Sequence, residues 1–95
     1  MTTPEKRLQN KIIALLKSDP TVYFERRQAG GFSYKAGLPD LWFLKNGKHV
    51  EVEVKAPDGF PTGLQLSKEK VLRAAGSLYW RGKNFEDFKK FFVQL

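Results

Sequence analysis

Asp40, Glu53 and Lys55 are the residues of this chain whose types and spacing could do chemistry together. Two carboxylates offer hard oxygen donors of the kind Mg²⁺ or Mn²⁺ prefers. A lysine two residues after the second carboxylate lies on the same face of a strand and can reach a water or a phosphate oxygen. All three fall within one stretch, Gly37 to Lys55, that reads as a β-hairpin. Asn46-Gly47 supplies its turn, because both residues tolerate the positive φ of a type I′ turn. Leu41 to Leu44 and Lys48 to Lys55 flank the turn and are rich in apolar, β-branched and aromatic residues.

That turn fixes a register. Lys45 pairs with Lys48, Leu44 with His49, Phe43 with Val50, Trp42 with Glu51 and Leu41 with Val52. Extended by one residue, it sets Asp40 opposite Glu53. Leu41, Phe43, Val50, Val52 and Val54 then share an apolar face made for a core. Asp40, Trp42, Leu44, His49, Glu51, Glu53 and Lys55 share the other. Directly opposed residues have Cβ atoms about 4.5–5.5 Å apart, where two like charges repel. A divalent cation between Asp40 and Glu53 removes that conflict. Glu51 faces Trp42 instead and is expected outside the site, as a solvated or dimer-facing charge. The plain alternative is a solvent-facing strand carrying a Glu53–Lys55 ion pair, which leaves the Asp40–Glu53 pairing unexplained.

Pro39-Asp40 followed by Glu53-Val54-Lys55 resembles the signature of the PD-(D/E)xK nuclease superfamily. Gly37 before it, Lys55-Ala56-Pro57 and Gln65 after it narrow the resemblance to the VRR-NUC family, the virus-type replication-repair nuclease domain. The likeness spans nearly the whole chain. It implies Mg²⁺, with Mn²⁺ as a substitute, on Asp40, Glu53 and the backbone carbonyl of Val54. Glu5 would be a further acidic group on the first helix. Lys55 would orient or help deprotonate the attacking water, and Gln65 would position the lysine or a water. The implied activity is endonucleolytic hydrolysis of DNA, with Holliday-junction resolution by a homodimer as the specific form. A flap- or nick-directed nuclease and a non-catalytic DNA-binding module are the alternatives. No small-molecule cofactor is implied, and the setting would be cytoplasmic.

The remaining elements must position these groups. Thr2 to Lys17 reads as a helix with a threonine cap, Pro4 in its first turn and a stripe of Leu8, Ile12, Leu15 and Leu16. Glu5 falls inside that stripe; by spacing alone it is equally a carboxylate favoured by the helix dipole. Thr21 to Arg27 reads as a strand with Val22 and Phe24 on one face. A glycine-rich loop follows over 28–38. Arg26, Arg27, Lys35 and Tyr34 suit contact with a DNA backbone and bases. A helix over Gly63 to Ala75 is expected to turn Leu64, Val71, Leu72 and Ala75 inward. Ser77 to Arg81 reads as a strand, with Leu78 and Trp80 alternating against Tyr79. Asn84 caps a last helix holding Phe85, Phe88, Phe91 and Phe92, more phenylalanine than one core stripe needs. The surplus is weak support for a dimer surface. The resulting fold is α/β: a restriction-endonuclease-like αβββαβ core with a C-terminal helix, its central mixed sheet flanked by helices.

Composition bounds these readings. The 95 residues make a single domain over 1–95 with a modest core. There is no cysteine and a single histidine, which excludes disulfides and thiolate zinc sites and argues against a His-based triad. No apolar run approaches the roughly 18 residues of a membrane span, so a soluble intracellular protein without membrane contact is expected. The net charge of +7 favours a polyanionic partner whose binding weakens with salt.

Overall fold

The computed structural model describes residues 2–27 and 37–95. Its elements are α1 (Pro4–Ser18), β1 (Tyr23–Arg26), β2 (Leu41–Lys45), β3 (Lys48–Val54), α2 (Gly63–Ala74), β4 (Leu78–Gly82) and α3 (Phe85–Val93). This is the expected α/β order. The four strands form one mixed sheet in the order β1-β2-β3-β4, with β4 parallel to β3 and the other pairs antiparallel. A parallel neighbour needs a crossover, and α2 provides it.

Local chemistry sets the boundaries. Thr3 Oγ1 accepts the Lys6 N–H at the start of α1, and Asp19 ends it in extended conformation. Asn46 and Gly47 sit at φ 51° and 75°, as the type I′ turn requires. The β2–β3 register matches the expected one pair for pair from Leu41–Val52 to Lys45–Lys48. Thr62 and Gln65 form a reciprocal capping box on α2. Ser77 N–H returns to Leu72 O and Gly76 N–H to Arg73 O, closing that helix in a Schellman motif. Asn84 caps α3 through the Asp87 N–H.

The core lies between one sheet face and the helices α1 and α3. Leu41, Phe43, Val50, Val52, Val54 and Trp80 meet Leu8, Ile12, Leu16, Phe88 and Phe92 there. Phe85 and Phe91 pack against the edge of the same cluster. Phe88 and Phe92 are buried in the core, and Phe85 and Phe91 stay half-buried at its rim.

The other face is polar. Among the described elements α2 packs on it, against β4, and the inward expectation is overturned for Leu64, Val71 and Ala75, while Leu72 is half-buried. Leu64 is 59% and Val71 62% exposed, and Ala75 is exposed too. The half-buried positions are Gln65, Lys68, Glu69 and Leu72. The helix turns a largely polar side to the sheet because the sheet beneath it presents charge.

Candidate active site

Asp40 stands in a bend just outside β2, where the ladder to β3 ends at Leu41–Val52. Its Oδ2 accepts the Val54 N–H at 2.7 Å, so a side chain takes the place of a backbone ladder bond. The hairpin opens at this point. Lys55, just past the end of β3, gives its N–H to Gly82 O of β4 at 2.9 Å. Asp40 and Glu53 are consequently not the directly opposed pair that register alone implied. Asp40 turns toward α1, and Glu53 toward β4 and α2.

Into that opening α1 brings Glu5. Glu5, Asp40 and Val54 line one pocket of about 260 Å³ with Thr3, Lys6 and Gln9. Burial, and then the negative fields of Glu5 and Glu53, push the Asp40 carboxyl above its ordinary range. The Val54 N–H and Lys55 pull it partly back. Lys55 Nζ lies 3.9 Å from Glu53 Oε2. Its charge therefore acts on both carboxylates.

Glu53 is 1% exposed, and both its oxygens are engaged. Tyr79 Oη donates to Oε1 at 2.7 Å and Arg81 Nε to Oε2 at 2.7 Å. Arg81 Nη1 continues to Glu69 Oε1 at 2.8 Å, and Glu69 Oε2 meets Arg73 Nε at 2.8 Å. This chain of charge is what α2 packs upon. Burial foremost, and then the bond to Glu53, raise the Tyr79 hydroxyl well above its usual range, so it stays a donor. Sequence reading missed Tyr79 and Arg81. The alternation of β4 does set them opposite Leu78 and Trp80, but only the parallel register, Glu51–Tyr79 and Glu53–Arg81, says what they touch.

The donors fit a hard divalent cation in type: the carboxylates of Glu5 and Asp40 line one pocket with Val54, and Glu53 lies one residue along the strand from Val54. Glu53 keeps lone pairs beyond the two in use, since a carboxylate has about four acceptor sites. Among the described residues no three acidic or histidine side chains close into a ready-made cage.

No protein-family model and no curated protein matches the sequence. A solved structure titled "VRR_NUC domain" superposes with a TM-score of 0.79 at 23% identity, covering 97% of this chain and 97% of that one. The chain has the fold of a VRR_NUC domain. At this identity the likeness resides in the backbone, which carries Glu5, Asp40 and Val54 to one end of the VRR_NUC-like sheet.

The other expected site residues fall as follows. Gln65 Oε1 accepts the Thr62 N–H at 2.9 Å; its oxygen serves the helix cap and makes no bond to Lys55. Arg27, expected on DNA, is committed inward: its guanidinium grips both oxygens of Glu51, Nη2–Oε2 at 3.0 Å, and reaches Pro39 O at 3.3 Å. Glu51, expected in solvent, is 1% exposed. It also takes His49 Nε2 at 2.7 Å, and His49 stacks on Trp42. A carboxylate this deep needs such partners, and Arg27 is its counter-charge. Arg26 is exposed at the end of β1. Tyr34 and Lys35 lie outside the described residues.

Proposed function

We propose that this chain is a divalent-metal-dependent DNA endonuclease of the PD-(D/E)xK type. One observation carries the reading: Glu5, Asp40 and Val54 share a pocket at the opened end of the hairpin, with Glu53 and Lys55 beside it. Asp40, Glu5, the Val54 carbonyl and the unused lone pairs of Glu53 would hold Mg²⁺, with Mn²⁺ as a substitute. The ion supplies Lewis-acid polarisation of the scissile phosphate and compensates charge on the leaving oxygen.

The protein's own groups do the rest. Lys55, held near Glu53, orients the attacking water and offsets the charge that grows on the phosphate. Tyr79 and Arg81 fix the Glu53 carboxylate so that it does not collapse onto Lys55. Gln65 would act through its amide nitrogen, since its oxygen is held by Thr62. Arg26, Lys35 and Tyr34 are the proposed DNA contacts; Arg27 is withdrawn from that set.

The finer form of the reading is a homodimer that cuts four-way junctions. The support for self-association is the bare apolar side of α2, with Leu64 and Val71, and the neighbouring Phe60, 79% exposed. The test compares wild type with Lys55→Ala on labelled four-way junctions, flaps and linear duplex, with and without Mg²⁺ or Mn²⁺. Metal-dependent symmetric junction cutting that the variant lacks is the expected result. Cutting of flaps or duplex instead keeps the nuclease and removes the resolvase. A folded wild type that binds DNA but cuts nothing with either metal leaves a binding module.

A further inference from the structure

We infer that the side of α1 facing away from the candidate active site carries a second phosphate-binding site, formed by Arg7, Lys11 and Lys83. The inference rests on the reading of the chain as a DNA-cutting enzyme and adds a place where the substrate backbone is held. The three side chains line a pocket of about 210 Å³ between α1 and the start of α3, floored by Leu8 and Phe85. No carboxylate lines it.

Several described basic residues make no ion pair; what distinguishes Arg7, Lys11 and Lys83 is that they line one pocket together. Arg27, Arg73, Arg81 and Lys89 are paired with Glu51, Glu69, Glu53 and Glu86. Among the described residues Arg7, Lys11 and Lys83 make no ion pair. Arg7 donates to Thr2 O at 2.7 Å and Lys83 to Pro57 O at 3.1 Å, bonds that place the cations without neutralising them. Arg7 and Lys11 are one helical turn apart. Like charges at that spacing cost a few tenths of a kcal/mol in a bare helix, a cost that a bound anion turns into a gain.

Position gives the anion its identity. The first turns of α1 present Glu5, Lys6 and Gln9 to the candidate catalytic pocket and Pro4, Arg7 and Lys11 to this one. Lys83 directly follows Gly82, whose carbonyl holds Lys55 N–H. A polyanion lying over the N-terminal end of α1 meets both pockets at once, and a nucleic-acid backbone offers phosphates at such repeated intervals. The ligand is thus a phosphodiester of the strand being cut or of its neighbour.

The test is binding of a labelled DNA duplex by metal-free protein, followed by anisotropy across a range of NaCl concentrations. Each phosphate contact contributes about 0.9 to the slope of log K against log salt. The triple variant R7Q/K11Q/K83Q should lose about 2–3 from that slope and at least ~10-fold in affinity at low salt. The triple K17Q/K48Q/K90Q removes equal charge elsewhere and should stay close to wild type. K11Q alone is the safeguard against misfolding, because among the described residues the Lys11 side chain makes no hydrogen bond; it should lose about 0.9. A pocket triple with the wild-type slope, or a control triple that loses as much, overturns the inference. A wild type that binds through this pocket yet cuts nothing with metal keeps the phosphate site and removes the nuclease reading. A wild type that cuts, beside a pocket triple that binds and cuts as well, removes this inference alone.

Discussion

Lys55 reaches Glu53 only at 3.9 Å, while Tyr79 and Arg81 hold that carboxylate directly. Lys55→Ala therefore leaves Glu53 paired, and the variant should fold with a melting temperature near wild type. Its cutting rate should fall by about 10²–10³, the usual effect of deleting one preorganised charge-stabilising group. Asp40 behaves oppositely. Its carboxyl is pushed up, by burial first, so the folded state holds the proton more tightly than the unfolded chain does. The contribution of Asp40 to stability is then fullest below the ordinary carboxyl range and declines as pH rises through the raised folded value. In metal-free protein at neutral pH, Asp40→Asn should melt higher than wild type, and the stabilisation that wild type gains on mild acidification should shrink. Cutting should be abolished. A variant that melts lower at neutral pH would show that Asp40 is structural. The position of Asp40 just outside β2 and of Glu53 near the end of β3 was legible in the sequence because it depends on one turn. The burial of Glu51 was not, since its partner Arg27 lies 24 positions away, just after β1, and only the β1–β2 pairing brings them together. Arg27→Ala strands that carboxylate and should cost about 3–5 kcal/mol in denaturant unfolding; a replacement of both Arg27 and Glu51 by methionine should restore much of it.

The hairpin was readable to the residue, and the reason is local: Asn46-Gly47 fixes the turn, the turn fixes the register, and alternation fixes the faces. Where the hairpin opens was not readable, because Asp40 closes the ladder with a side-chain bond that spacing does not encode. The approach to that opening is constrained at Gly37. It sits at φ +86°, and a Cβ there would lie 2.7 Å from Leu64 O. Gly37→Ala must move the chain off α2 or distort it, at a cost of about 1–3 kcal/mol in urea unfolding. Helix α2 itself was located correctly but turned the wrong way. A stripe of Leu64 and Val71 at helical spacing states that a face will be covered, not by what. The sheet under α2 displays Glu51, Glu53, Tyr79 and Arg81, so the helix answers with Gln65, Lys68 and Glu69 and leaves its apolar stripe outward.

At the scale of the molecule that stripe argues for a second copy. With the sheet's other face filled by α1 and α3, the described surface exposes Leu64 and Val71 along one side of α2 and Phe60 just before it. Exposed apolar side chains grouped on one helix side suit a protein contact, and a two-fold contact needs only one self-complementary patch. Leu64→Glu with Val71→Glu touches none of the buried contacts described, so monomer stability should stay within about 0.5 kcal/mol of wild type per substitution. Sedimentation velocity should show wild type as a dimer at micromolar concentration and the double variant as a monomer. If the dimer serves paired cuts, the variant should still nick one strand of a junction while losing the coincident second cut. If wild type sediments as a monomer throughout, the patch does not serve self-association. Junction cutting, where present, would then come from independent single-site encounters.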